Sequence, residues 1–165
     1  MQIGILSDTH NQTSTLQTAL TYFKQRKIHT LIHCGDMTTV ETAQYLCEFQ
    51  IYYVFGNGDF LSGEIRATLK GFDSKNFGSL SFSGEMSGKQ IGAIHGHLPA
   101  ELDLMIRNQK YDYLFTGHTH RRKDEKVGKT RVINPGALGG TRYQSRSVAV
   151  LDLTTDELHF QEIEP

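Results

Sequence analysis

The sequence has few cysteines, and neither of them belongs to a metal-binding or redox motif. Its 165 residues include 2 Cys, Cys34 and Cys47, which form no Cys-x-x-Cys pair. A secreted disulfide framework is therefore not expected, and neither is a zinc site built from thiolates. The first residues also lack the cationic and apolar regions of a secretory signal. We predict a reducing, cytoplasmic location.

Long apolar runs and an excess of one charge are also missing. No stretch approaches the ~18 apolar residues that a membrane-spanning helix needs, so we expect no membrane partner. Lys and Arg number 17 against 18 Asp and Glu, a formal net charge of -1, which gives no strong sign of nucleic-acid binding. Neither the Gly-x-Ser-x-Gly motif of serine hydrolases nor a P-loop motif is present, and both enzyme classes are disfavoured. The length predicts one domain over residues 1–165.

The first third of the chain alternates between apolar runs and amphipathic segments. Buried strands are predicted at residues 3–7, 30–33 and 51–55. The helix after the first strand has Thr13 or Ser14 as its cap. The next helix starts in a capping-box pattern at residues 38–41 and buries a stripe that includes Cys47. This alternation is typical of parallel βαβ units.

The rest of the chain is predicted to contain antiparallel hairpins. The predicted elements are a hairpin with Leu80 and Phe82 in its first arm and residues 90–94 in its second, a helix at 98–106, a strand at 113–116, a hairpin turn at 126–131 and final strands at 147–153 and 157–163. A mixed sheet, or two packed sheets flanked by helices, fits this order.

Polar clusters follow five of the predicted strands. They are Asp8-Thr9-His10, Gly35-Asp36, Gly56-Asn57-Gly58-Asp59, His95-Gly96-His97 and Gly117-His118-Thr119-His120. Because the carboxyl ends of parallel strands share one sheet edge, we expect the clusters to converge there. Their oxygen and imidazole donors suit Mn²⁺, Fe²⁺, Ni²⁺ or Zn²⁺ better than Ca²⁺. Each cluster alone is ordinary turn or cap chemistry, but their joint occurrence predicts a metal site.

Three histidines lie outside the five clusters and are not expected to bind metal. For one pair inside the clusters, the relative direction of the side chains depends on the local secondary structure. We predict that His29 is an exposed loop residue, that His33 is packed inside a strand, and that His159 faces solvent. His118 and His120 lie two residues apart and would share a face if they lay on a strand.

The five clusters resemble the calcineurin-like metallophosphoesterase superfamily, in particular its small single-domain phosphodiesterases. The family pattern of Asp-x-His, Gly-Asp, Gly-Asn-x-Asp/Glu, His-Gly-His and Gly-His-x-His occurs here in the same order, and residues 134–136 match the Asn-Pro-Gly turn of small members. The match covers residues 1 to about 140. The resemblance implies an α/β fold, a four-layer α/β/β/α sandwich of two mixed sheets flanked by helices.

The resemblance also implies a cofactor and its ligands. The cofactor would be two divalent metal ions, with Mn²⁺ favoured and Fe²⁺, Ni²⁺ or Zn²⁺ as alternatives. The first ion would be held by Asp8, His10 and His120, the second by Asn57, His95 and His118, and Asp36 would bridge the two. The implied activity is that of a metal-dependent phosphodiesterase, in which a hydroxide bridging the ions attacks phosphorus in line on a small phosphate ester.

One departure from the family pattern concerns the general acid. Many members, especially phosphomonoesterases, carry a His directly after the Asn of the third motif, but this chain has Gly58 there. His97 is the first candidate to contact phosphate or to protonate the leaving group, although it could equally well only support a neighbouring ligand. Asp59 is expected to orient a ligand through a hydrogen bond, and Arg142 to pair with a phosphate oxygen. Without a firm acid, we expect a preference for good leaving groups.

Other functions remain compatible with the sequence. A phosphomonoesterase or a nucleotide pyrophosphatase would use the same metal centre, and a relative on this fold acts as a non-catalytic scaffold in protein trafficking. The physiological substrate is not indicated by any motif. Exposed sheet edges leave room for a homo-oligomer.

Overall fold

Two β-sheets pack face to face in the computed structural model, which describes residues 1–164. The strands are Gln2–Leu6 (β1), Thr30–His33 (β2), Gln50–Val54 (β3), Phe77–Ser79 (β4), Ser81–Met86 (β5), Lys89–Ile94 (β6), Tyr113–Phe115 (β7), Arg122–Val127 (β8), Thr130–Pro135 (β9), Ser147–Asp152 (β10) and Leu158–Glu162 (β11). The helices are Thr13–Gln25 (α1), Val40–Ala43 (α2), Ser62–Phe72 (α3) and Pro99–Arg107 (α4), with a 3₁₀ helix at Gln44–Leu46.

Both sheets are mixed, and their parallel strands carry the polar clusters. The first sheet has the order β11-β10-β1-β2-β3-β4 and the second β5-β6-β7-β9-β8. Strands β1 to β4 run parallel to one another, and so do β6, β7 and β9. Antiparallel strands complete each sheet.

Alternation along the strands divides the core into layers. On β1, Ile3 and Ile5 point into the interface between the sheets, whereas Leu6 packs against the helices of the first sheet. On the far side of the second sheet, Leu114 packs beneath α4. The result is the four-layer α/β/β/α sandwich, as predicted.

The predicted strands and hairpins are confirmed, with small shifts at their ends. The turn at residues 126–131 lies between β8 and β9, and Phe82 is buried in β5. Leu80, in contrast, is 57% exposed between β4 and β5 and belongs to neither strand. No helix within residues 1–164 has the length and apolar character required to cross a membrane.

The predicted helix starts are wrong in detail because the polar clusters run directly into the helices. Helix α1 has Gln12 as its N-cap and no side-chain cap. Helix α2 is capped by Thr39, whose hydroxyl accepts a hydrogen bond from the Thr42 amide, one residue later than the predicted capping box. Since α2 tightens into a 3₁₀ turn after Ala43, Cys47 is exposed and not part of a buried stripe.

The sequence pattern does not predict α3 or β4. Helix α3 buries only Ile65 and Leu69 and contains two glycines, Gly63 and Gly71, which weaken its helical signal. Its position is set by packing against the first sheet.

Helix α1 approaches β1 closely because Gly4 has no side chain. A Cβ atom at this position would lie 2.5 Å from Leu31 Cδ2 and 2.7 Å from Phe23 Cε1. We therefore expect Gly4→Ala to lower the free energy of unfolding by about 1–3 kcal/mol through overpacking. Urea unfolding measures this loss. The matched control is Gly71→Ala, where no atom lies within 4 Å of the new Cβ. It should be neutral or stabilising by up to about 1 kcal/mol, and equal effects of the two variants would contradict the packing account.

Candidate metal centre

The polar clusters come together at one end of the sandwich, but on two sheets rather than at one sheet edge. Three of them follow β1, β2 and β3, and the other two follow β6 and β7. Backbone hydrogen bonds join neighbouring loops. The Asp8 amide donates to Gly35 O at 2.9 Å, and the Gly117 amide donates to His95 O at 2.9 Å. The two sheets are joined by the His118 amide, which donates to Asp8 Oδ2 at 3.0 Å.

One half of the site is built around the fully buried carboxylate of Asp8. Its Oδ2 accepts hydrogen bonds from Ser7 Oγ at 2.6 Å and from the His118 amide. Its Oδ1 has no hydrogen-bond partner within residues 1–164. His120 Nε2 lies 3.1 Å from Oδ1, out of hydrogen-bond alignment, and His10 Nε2 lies 3.3 Å from His120 Nε2. Three ligand atoms therefore face one small volume.

The other half is formed by Asp36 and His95, with Asp8 shared. His95 Nδ1 is 2.6 Å from Cys34 O, so Nδ1 carries the proton and the lone pair is left on Nε2. That Nε2 is 3.5 Å from Asp36 Oδ2 and 4.0 Å from Asp8 Oδ1. Asp36 Oδ2 is also 3.8 Å from His10 Nε2. Asp36 thus lies between the two halves.

These residues fit a metal site. The possible ligand atoms of Asp8, His10 and His120 lie within 4.8 Å of one another, and those of Asp8, Asp36 and His95 do as well. Asp8 Oδ1 and His95 Nε2 are both buried without a hydrogen-bond partner in the described part of the chain. Leaving a buried polar atom unpaired costs about 1–3 kcal/mol, a cost that a bound cation would remove. The mixture of carboxylate and imidazole donors suits first-row divalent ions.

The pKa values of the site residues also show that the site favours a bound positive charge. Burial alone would raise the pKa of Asp36, but the contact with His95 and the hydrogen bond from the Gly58 amide outweigh it and lower the pKa to about 2. The contact with Asp8 raises the pKa of His120. Burial lowers the pKa of His95, yet the nearby Asp36 and Asp8 carboxylates more than compensate and raise it. Asp36 therefore stays ionised and attracts cations.

Two of the predicted ligands stand apart from this group. Asn57 and His118 are exposed, whereas Asp8, Asp36 and His95 are buried. The His118 ring lies edge-on to His95, with centroids 5.1 Å apart. His118 and His120 follow β7 in a loop with φ of 66° and 57°. They therefore do not share a strand face.

Backbone strain is concentrated in these loops. Left-handed φ values occur at Asp8, His10, Asn11, Asp36, Thr38, His118 and His120. Such conformations are rare for residues other than glycine and persist only where surrounding contacts hold them. Strain of this kind clusters at functional sites, and here it turns the side chains toward a common point.

Asp59 helps to hold the strained backbone around Asp36 in place. Its Oδ2 accepts hydrogen bonds from the amides of Asp36 at 3.0 Å and Gly56 at 2.8 Å, and its Oδ1 from the Thr38 amide at 2.9 Å. Tyr53 Oη donates a further bond of 2.7 Å to Oδ2. Asp59 thus binds the backbone that carries Asp36 rather than a histidine ring or an amide side chain.

A buried network behind the site was missed by the sequence analysis. Tyr53, predicted only as a strand residue, accepts a hydrogen bond from the Met37 amide and stacks at 4.8 Å on the ring of His33. His33 is packed, as predicted, and burial lowers its pKa to about 4. Its Nδ1 accepts from the Gly35 amide, so Nε2–H donates to Thr9 Oγ1 at 2.9 Å. No sequence motif marks these residues.

The turn at residues 134–136 also has a structural role at the site. Asn134 Nδ2 donates to Gly117 O at 2.7 Å and to Thr119 Oγ1 at 3.2 Å, while its Oδ1 accepts from the Gly136 amide. Asn134 therefore holds the loop that carries His118 and His120.

His97 lies beside the site with its ring half-buried. Its centroid is 5.4 Å from His95 and 6.3 Å from His118, and its Nδ1 is buried without a partner in residues 1–164. Burial and these two rings lower the pKa of His97, so the imidazole is neutral at pH 7. His29 and His159 are both exposed, as predicted.

Comparisons with known proteins identify the family of this chain and its relatives. A family model described as the calcineurin-like phosphoesterase superfamily domain matches residues 1–156. The chain is 31% identical to a phosphodiesterase of Methanocaldococcus jannaschii over 168 residues, covering 99% of this chain and 98% of that protein.

Solved structures share the fold. A structure described as that of a novel archaeal phosphodiesterase has a TM-score of 0.93 at 29% identity and covers 99% of this chain and 100% of that chain. Vps29 of Entamoeba histolytica, solved in complex with Zn²⁺, has a TM-score of 0.73 at 22% identity, covering 97% of this chain and 90% of that chain. At that identity the likeness concerns the fold alone.

The hydrogen bond from Tyr53 to Asp59 should matter for metal binding. In Tyr53→Phe, Asp59 loses a donor and the buried Met37 amide loses its acceptor. We expect Mn²⁺ affinity, measured by isothermal titration calorimetry, to fall about 10–100-fold, with about 1–3 kcal/mol less stability. The matched control is Tyr113→Phe, which removes the 2.7 Å bond to Asp156 away from the site. It should keep its Mn²⁺ affinity, and unchanged affinity in Tyr53→Phe would contradict the role of this network.

Proposed function

This chain belongs to the calcineurin-like phosphoesterase superfamily and is a phosphoric ester hydrolase, and we propose that it cleaves phosphodiesters with the help of two divalent metal ions. The observation that carries the proposal is that Asp36 Oδ2 faces one imidazole from each half of the site, His10 Nε2 at 3.8 Å and His95 Nε2 at 3.5 Å. The similarity to a phosphodiesterase over the whole length of both chains supports the same activity. The catalytic unit we propose is a single domain.

We propose that Asp8, His10 and His120 hold one ion, that Asn57, His95 and His118 hold the other, and that Asp36 contacts both. When bound, two such ions would neutralise charge on the phosphoryl oxygens and make a water molecule nucleophilic at neutral pH. Mn²⁺ is the ion we favour. Fe²⁺, Ni²⁺ and Zn²⁺ suit the same donors, because availability decides among borderline ions.

The protein's part in the reaction is to fix these donors and to select the substrate. The seven proposed ligands include only two carboxylates, so they cannot neutralise a pair of dications. The pocket would therefore remain positive and attract an anionic ester, although the surface has no basic excess. The strained loops and Asp59 hold the ligands in place before substrate arrives, so little reorganisation is needed during the reaction.

The lack of a side chain at Gly58 favours diesters over monoesters. The Gly58 amide donates to Asp36 Oδ1 at 2.7 Å, and a Cβ at this position would lie 3.1 Å from that same oxygen. Residue 58 of this chain therefore offers no side chain that could act as an acid. His97 is neutral at pH 7 and can offer a hydrogen bond to phosphate, but it is a weak proton donor. Diesters with good leaving groups need no strong acid.

A cytoplasmic location is part of the same proposal. Cys34 is buried and Cys47 is exposed, and both are free thiols, which fits a reducing compartment.

The exposed edge strand β8 is dense in charged residues, which opposes pairing of this edge with another copy.

Removal of metal should abolish activity. We expect the protein to hydrolyse bis(4-nitrophenyl) phosphate with added Mn²⁺, to lose this activity after chelation, and to regain it when Mn²⁺ is restored. Release of 4-nitrophenolate measures the rate, and circular dichroism checks that the chelated protein stays folded. Hydrolysis that survives complete metal removal would show that the proposed mechanism is wrong.

The shared position of Asp36 gives a sharper test. Asp36→Asn keeps the shape of the side chain but removes its charge. We expect metal content, measured by mass spectrometry, to drop for both ions, and kcat/KM to fall by more than the ~10–100-fold that loss of an outer hydrogen-bond partner costs. The control is Asp103→Asn, which breaks only an exposed ion pair with Arg107. Two bound ions and near-normal turnover in Asp36→Asn would refute the assignment.

A further inference from the structure

A cationic cavity opens beside the metal centre and has no part in the proposed ligand set. Its volume is about 420 Å³, and it is lined by Thr119, Arg121, Arg122, Lys123 and Tyr143. Thr119 lies between His118 and His120 in the chain. The cavity is therefore a direct neighbour of the site.

Two arginines, Arg121 from the cavity lining and Arg142 from outside it, lie against the ring of Tyr143. The guanidinium carbon of Arg121 lies 4.7 Å from the centroid of Tyr143, and that of Arg142 lies 5.2 Å from it. The ring is 47% exposed. Cation–π attraction holds a guanidinium on such a face but does not neutralise it.

Neither arginine has a carboxylate partner within residues 1–164, unlike the other cations of the cavity. Arg122 is 2.9 Å from Glu162, and Lys123 is 2.7 Å from Glu125. Arg121 and Arg142 therefore bring two positive charges without an ion-pair partner to the same ring. An anion bound at the cavity would supply the missing partner.

The loop that carries Arg142 is fixed at both ends. Near its start, the Gly139 amide donates to Asp8 O at 2.7 Å, and a Cβ on Gly139 would lie 2.8 Å from His10 Cβ. Near its end, Arg122 donates from its amide to Gln144 Oε1 at 2.6 Å and from Nη2 to Ser145 Oγ at 3.1 Å. The loop is thus anchored on the metal-site backbone and on the start of β8.

We propose that this cavity is a subsite for a second phosphate group carried by the diester substrate. Guanidinium groups present paired N–H donors that match the oxygens of a phosphate, and here two of them lie against one ring beside a site that would hold the scissile phosphate. Arg121 directly follows His120, so one ligand molecule can reach both places. The substrate class is then a phosphodiester that bears an additional phosphate, and this inference rests on the proposed function.

The test compares two substrates that differ only in the second phosphate: thymidine 5′-(4-nitrophenyl phosphate) and the same compound with a 3′-phosphate. With Mn²⁺ present, kcat/KM should be at least about tenfold higher for the 3′-phosphorylated compound, the factor that one hydrogen bond to a charged group supplies. In Arg121→Gln and in Arg142→Gln, the ratio of the two kcat/KM values should move toward one.

The control variant is Arg26→Gln, which removes an exposed arginine lying over another ring, that of Tyr22, at 5.3 Å. Arg26 is the C-cap of α1, at the opposite end of that helix from Asp8-Thr9-His10. The Arg26→Gln substitution should therefore leave the ratio of the two kcat/KM values unchanged. Equal kcat/KM values for the two substrates, or a ratio that the Arg121 and Arg142 variants do not alter, would overturn the subsite.

Failure of the proposed function would look different, because neither ester would then be cleaved. In that case calorimetry with thymidine 3′,5′-bisphosphate and thymidine 5′-monophosphate still decides on the subsite. Tighter binding of the bisphosphate by the wild type but not by Arg142→Gln supports it. If the wild type binds the bisphosphate no more tightly than the monophosphate, the subsite is contradicted. The same holds if Arg142→Gln shows the same difference as the wild type.

Discussion

Two buried carboxylates, Asp8 and Asp36, are held among imidazole rings at the end of the sandwich, and the local structure follows from the need to keep them there. Ionised groups in a water-poor site are unfavourable unless paired. Asp8 Oδ2 is paired with Ser7 and a backbone amide, but Oδ1 has no hydrogen-bond partner in the described chain. The half-satisfied carboxylate is what gives the site its attraction for cations.

Close packing of backbone is the second requirement, and glycines meet it at two places. A Cβ on Gly56 would lie 2.0 Å from Asp36 Oδ1, and one on Gly117 would lie 1.9 Å from Ser7 Oγ. A side chain at Gly56 would therefore displace the Asp36 carboxylate, and one at Gly117 would displace the Ser7 hydroxyl that donates to Asp8. The glycines in the polar clusters are therefore as necessary to the geometry as the ligands, although they contribute no donor atom.

The sequence was sufficient to predict the layers and the set of clusters, because both depend on local patterns. Apolar runs mark the strands, and the order of Asp, Asn and His clusters resembles one superfamily. It was not sufficient where the outcome depends on packing between distant segments. Tyr53 looks like any strand residue, yet it supports Asp59. Likewise, the pairing of Arg121 and Arg142 over Tyr143 joins two segments that no pattern connects, and Cys47 was misplaced because α2 ends early.

The central claim is that Asp36 is shared by two metal ions. Anomalous diffraction at the manganese absorption edge, from crystals grown with Mn²⁺, tests it most directly. The account predicts two anomalous peaks, both in contact with Asp36, one beside His10 and His120 and the other beside His95. A single peak, or two peaks of which only one touches Asp36, would contradict it.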